Sequence, residues 1–349
     1  MLKRNISLVT MMLFTEQLAS MLSAQLPIYQ VLDSLTQETL DKRFRVILDD
    51  IIGRIERGQD FGNTLEYYPE AFDSVYVSMV RAGMSSGKLD VSLEILAAYL
   101  KQKQETEGKV LSAFSYPIFL IVAMISLITM MIKMVLPNFQ KIYASFGQKL
   151  PRPTQILLSF AEFMNKWGIY IIISAGAAFF IWVMYINTPF GRLWWDKVKI
   201  KLPFIGQLLR RMAFSHFLHT MAALMRSDVP ILQALRIGAT ATGNYFIESI
   251  ILDASDLVER GRSLSMALRE TGNFPVIVLQ MISSGEEGGS LDRLLSSAAS
   301  YYDKQVEIKV TTLFSLLNPA LTIIIGLVIA GIMISLFLPI FSMGTVVHG

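Results

Sequence analysis

The sequence predicts an all-α membrane protein: two repeated helical bundles, read as cytoplasmic, plus three transmembrane helices. Three observations carry that prediction. Apolar residues make up 53% of the chain and the mean hydropathy is +0.48, above what a soluble domain usually carries. Three stretches are apolar enough and long enough to cross a bilayer, which takes about 20 helical residues at about 1.5 Å each. The chain also repeats itself: Phe14, Ala19, Pro27 and Leu32 recur at a constant offset as Phe217, Ala222, Pro230 and Leu235.

At the N-terminus, Lys3 and Arg4 precede "ISLVTMMLF", an imitation of a secretory signal. Glu16 and Gln17 interrupt that apolar run early, and the repeat assigns the same residues to an amphipathic helix. The first bundle is placed at residues 1–112. Its apolar residues have helical spacing, as at Leu89, Leu93, Leu96 and Leu100, and no comparable stretch alternates with period two. Breaks at Pro27, Gly53, Gly58 and Pro69 divide it into about five or six short helices. About 110 residues suffice for a small bundle with its own core.

The first span is expected at 113–137, around the stretch "PIFLIVAMISLITMMIKMVLP", Pro117 to Pro137. Its Lys133 is the only charge in the three spans, and it lies close enough to the segment end for its stem to bring the ammonium to the headgroups. A periplasmic loop is placed at 138–167. The second span, 168–187, lies outside the repeat and supplies the return pass that puts both bundles on the same side. The second bundle follows at 188–314, with breaks at Pro230, Gly261 and Gly272 to Pro275. The third span is placed at 315–341 and a short periplasmic tail at 342–349. Lys101, Lys103 and Lys109 before the first span, Arg192 to Arg211 after the second, and Lys304 and Lys309 before the third place the N-terminus and both bundles in the cytoplasm, although Lys141, Lys149, Arg152 and Lys166 oppose the bias.

The stretch "SSGEEGGSLDRL", Ser283 to Leu294, pairs with "RAGMSSGKLD" of the first copy. It lacks the Lys-Ser/Thr of a phosphate loop, and carboxylates would repel phosphate. A helix break explains it: Gly83, Gly87, Gly285 and Gly289 are read as bend glycines. Gly285 is expected to end one helix in the left-handed conformation, and Ser290 or a preceding glycine to begin the next. Glu286 and Glu287 have Met84 and Ser85 as counterparts, so the acidic pair is peculiar to the second copy.

Reactive chemistry is sparse. There are no cysteines and three histidines. His216 and His219 lie near one face of a helix, but no third ligand and no His-Glu-x-x-His motif accompany them, which favours a packed or solvated pair over zinc. The spans contain no Asp, Glu or His, which argues against intramembrane proteolysis and against an ion relay. We therefore expect no catalytic residues, no metal and no cofactor. A net charge of +3 is too even for a nucleic-acid binder. Arg210 and Arg211 are candidates for an acidic partner surface, and Glu286 and Glu287 for a basic one.

The doubled "QLASMLSAQLPIYQVL" pattern, the Arg-Gly pair, the Gly-x-x-x-Gly-x-Leu-Asp bend, and the Tyr-Pro or Asn-Pro opening of a span closed by Leu-Pro-x-Phe resemble the PilC/GspF platform proteins of type IV pilus and type II secretion machines. The segment "KIYASFGQKLPRPTQIL" is similar to the family's stretch between its first two spans. Met84 stands where the family's first motif has glutamate, so no cation site is carried over from relatives. The resemblance implies an inner-membrane platform, not an enzyme. It would engage a hexameric assembly ATPase, pilin or pseudopilin subunits, other inner-membrane assembly proteins, membrane lipid and further copies of itself. The short segment before the first bundle favours a pilus system over a secretion system. A small oligomeric permease is the reading from another class, and the large mass outside the spans counts against it.

Overall fold

The computed structural model describes residues 6–135, 137–138, 141, 152–186, 188–203 and 205–346. Among these the regular structure is helical, with no strand. The first copy comprises α1 (Leu8–Ser23), α2 (Ile28–Glu38), α3 (Lys42–Glu56), α4 (Phe61–Leu65), α5 (Ser74–Ser86) and α6 (Leu89–Met130). After α7 (Arg152–Ile186) and α8 (Pro189–Lys201), the second copy gives α9 (Ile205–Arg226), α10 (Ile231–Ala241), α11 (Tyr245–Glu259), α12 (Leu264–Glu270), α13 (Val276–Glu287) and α14 (Leu291–Val346). Helices α1 to α6 thus correspond in order to α9 to α14.

Local chemistry sets the starts and stops. Asp41 accepts from the amides of Arg43 and Phe44, Asp60 from Asn63 and Asp73 from Tyr76, each satisfying amides that have no partner within the helix. In the second copy Asn244 and Ser263 do the same for α11 and α12. Even unusual backbone is duplicated. Gln25 (φ 63°) and Asp228 (φ 59°), neither of them glycine, take the left-handed conformation at the same point of each copy, just before Pro27 and Pro230.

The chain divides into two compact units, 1–109 with 193–309 and 110–192 with 310–349. The first unit holds the bundle part of both copies. Phe14, Leu18, Val31, Leu32, Phe44, Leu48, Phe72 and Leu93 of the first copy and Phe217, Met221, Ala234, Leu235, Ile251, Leu268 and Leu295 of the second belong to one continuous buried cluster. Phe14 meets Phe44 edge to face with ring centres 5.0 Å apart. Between the copies, α5 packs against α9 and α10.

The second unit contains apolar helical segments whose side chains are largely exposed, as expected where lipid rather than protein is the neighbour. Among the described residues three helices are long and apolar enough to span a membrane: Leu89–Met130, Lys166–Ile186 and Leu291–Ser335. Within this unit Phe114 meets Phe314 edge to face at 5.0 Å. Lys133 is exposed and lies in a π-helical turn, Met131–Val135.

Helices run across three of the expected boundaries. The first is where each bundle meets its span: α6 runs on through residue 112 and α14 through 314, and Pro117 and Pro319 lie inside these continuous helices. A proline removes one backbone hydrogen bond and bends a helix without having to end it when both flanks are strongly helical. The second concerns the connection placed at 138–167, where residues from Arg152 onward belong to α7; 139–140 and 142–151 lie outside the described residues. The third is the tail, since α14 runs to Val346 and 347–349 lie outside the described residues. Lys3, Arg4 and Lys149 also lie outside them.

Candidate functional site

The residues chosen from the sequence mostly serve their own bundle. At the second bend, Gly285 is inside α13 with an ordinary helical backbone, and the left-handed residue is Gly289, at φ 63°. Its counterpart Gly87 has φ 69° and caps α5. Gly83 and Gly285 are needed for another reason. A Cβ on Gly83 would lie 2.6 Å from the Cβ of Ser92, and one on Gly285 would lie 3.0 Å from the Cα of Leu291. Each marks where a helix passes tightly against the start of the next, so the expectation that Gly285 ends its helix is corrected.

Glu286 has a defined task. Its carboxylate accepts from the amides of Leu264 and Ser265, the latter at 3.0 Å, while Ser263 accepts from Met266. The Ala267 amide reaches the Ser263 carbonyl, so all four leading amides of α12 are satisfied. In the first copy the thioether of Met84 meets the Gly62 amide at 3.3 Å in the matching place. Glu287 is exposed and accepts from the Ser283 hydroxyl at 3.1 Å. Arg210 donates to the carbonyl and side-chain oxygens of Asn273 at 3.1 and 2.7 Å, and Arg211 to the Gln305 carbonyl at 3.1 Å. Both arginines are partly buried struts of the second bundle.

A polar joint that sequence reasoning missed lies where the copies meet. Asp303 of α14 accepts from Ser215 and His219 of α9 and from Gln102 of α6, the last two at 2.7 and 2.8 Å. Beside it, Thr220 donates to the Tyr99 hydroxyl at 3.1 Å. Burial alone would raise the Asp303 carboxyl, but His219 together with the hydrogen bonds from Ser215 and Gln102 outweighs burial and holds it below the usual carboxylate range. Nε2 of His216 is sealed from solvent without a hydrogen-bond partner. Burial, aided by the charges of Lys103 and His219, pushes this imidazole down to about 4, so it is neutral at physiological pH.

The joint is not a nucleophile's machinery. Serine and histidine both bind the same carboxylate, and no contact passes from the serine to the imidazole as a base would require. Among the described residues no group of three or more His, Cys, Asp or Glu side chains is arranged to hold a metal ion. What the arrangement can do is fasten the two copies together. A signal was present in the sequence: Ser215 and His216 replace Met12 and Leu13 of the first copy, polar for apolar at matched positions.

Comparison with known proteins agrees with the doubled architecture. The family described as Type II secretion system (T2SS), protein F, matches twice, at residues 14–137 and 217–339. The type IV pilus assembly protein PilC of Myxococcus xanthus is 35% identical, covering 95% of this chain and 80% of the relative. PilC of Pseudomonas aeruginosa is 31% identical, covering 96% and 90%. Type II secretion system protein F of Vibrio cholerae is also 31% identical, covering 98% and 84%.

Proposed function

The chain belongs to the type II secretion system protein F family, and from that membership we propose that it is the inner-membrane platform of a type IV pilus assembly machine. In this reading it couples a cytoplasmic hexameric ATPase to pilin extraction and filament growth. The observation that carries the proposal is the doubled bundle, each copy closing with a helix, α6 or α14, that also supplies an apolar span. Two folded lobes attached to membrane helices can receive a partner's movement without chemistry of their own. The bundles are assigned to residues 1–112 and 188–314 and to the cytoplasm, the spans to 113–137, 168–187 and 315–341, and the intervening loop and C-terminal tail to the periplasm. Glu287 offers an exposed carboxylate to a basic partner surface, whereas Arg210, Arg211 and Glu286 act by holding their bundle in shape.

A type II secretion platform is the second reading, supported by the relative of that name from Vibrio cholerae. Deletion in the native host, scored for surface filaments, secreted proteins and membrane recruitment of the ATPase, separates the two. We expect loss of filaments and of ATPase recruitment with secretion intact. Intact filaments with lost secretion would transfer the assignment to the second reading, and intact filaments with lost solute uptake would favour a permease.

A further inference from the structure

Helix α8 leads directly into α9, the first helix of the second copy. It follows α7 after two residues, and the apolar stretch of α7 ends at Ile186. Leu193 and Trp194 are seven and eight residues beyond that point. A fully extended chain of that length covers about 25 to 29 Å, and a helical one about 12 Å. The chain therefore cannot carry these two side chains more than about 29 Å from the end of the span, and a helical path leaves them within about 12 Å of it.

One side of α8 is fastened to the second bundle. Asp196 is buried, and its carboxylate accepts from the Tyr245 amide at 2.9 Å and from the Lys199 ammonium at 2.7 Å. Ile200 packs against the core. The other side is open. Leu193 and Trp194 are 43% and 45% exposed, and Lys197 and Lys201 are exposed with them. At about 100° per residue these four positions fall within about 100° of arc. Leu202 and Ile205, just past the helix end, are exposed as well. Between 188 and 205 the chain has four basic residues and one acidic residue, the inward-facing Asp196.

We propose that this open face of α8 is a membrane-surface anchor selective for anionic phospholipid. The indole and leucine enter the boundary between headgroups and acyl chains, where tryptophan is favoured, and Lys197 and Lys201 meet lipid phosphates. A protein partner fits less well, because the face begins within a few residues of a span and alternates apolar bulk with lysine, the pattern of an interfacial helix.

The test uses the absence of cysteine in the chain, which makes any introduced cysteine a unique labelling site. Full-length Leu193→Cys, Trp194→Cys and, as a control, Leu252→Cys are spin-labelled and reconstituted in phosphatidylcholine liposomes with or without phosphatidylglycerol. Accessibility to oxygen is then compared with accessibility to a water-soluble nickel chelate. The oxygen-to-nickel ratio should be several-fold higher at 193 and 194 than at 252, and should rise further with phosphatidylglycerol. Adding Lys197→Gln and Lys201→Gln should abolish that further rise. Labels at 193 and 194 that behave like the control, or that are shielded from both reagents whatever the lipid, would overturn the proposal; the Leu193 label leaves the indole in place.

Discussion

At Glu286 a single carboxylate receives two amides of α12, a task left to the weaker thioether acceptor of Met84 in the first copy. Glu286→Ala should therefore cost about 1 kcal/mol of bundle stability. Met84→Glu should add about 0.5 to 1 kcal/mol by supplying a charged acceptor at the amide end of α4. Urea unfolding of the full chain in detergent, followed by circular dichroism, reads both, and a neutral Glu286→Ala would show that the cap is idle. Asp303 matters more. Asp303→Ala strands three donors at once, and about 3 kcal/mol is the expected loss in the same assay. His216 brings in pH. Its folded-state pKa is about 4 against an ordinary 6.5, so between those values the unfolded chain binds more protons than the folded one. Its contribution is complete above about pH 6.5 and drains away as pH falls toward 4, by at most about 3 kcal/mol. His216→Leu, which installs the first copy's residue, should flatten the fall in melting temperature between pH 6.5 and 4.5. An unchanged slope would remove His216 as its source.

Among the helices, the two kinds of bend glycine should respond differently to the same substitution. Gly87→Ala meets no neighbour and pays only for the left-handed backbone, about 1 kcal/mol. Gly83→Ala drives a methyl into Ser92 and should cost about 1 to 3 kcal/mol. The added change Ser92→Gly should recover part of the second loss and none of the first, as read by melting temperature. Helix identity was legible in the sequence because period and punctuation agreed: α2 and α3 reappear at the same offset as α10 and α11, residue for residue. Helix ends were less legible. Pro117 and Pro319 signal a break in isolation, yet the flanking apolar residues carry the helix through. Nor does sequence alone distinguish a glycine needed for its φ from one needed for its missing Cβ, since both appear as conserved spacing between the two copies.

For the whole chain, the proposed topology makes a simple prediction. Reporter fusions near residues 60 and 260 should both report the cytoplasm, and opposite results would refute the shared compartment. The repeat made the architecture readable because a fold written twice filters out accident, as Phe14 with Phe217 and Gly58 with Gly261 illustrate. It also hid the polar joint, because a search for likeness passes over the places where the copies differ. The positions matching Ser215, His219 and Asp303 are Met12, Glu16 and Lys101, which could not assemble the same cluster. The halves have thus ceased to be spare parts for one another: a chain built from two front halves would set Lys101 and Glu16 where a satisfied carboxylate now sits.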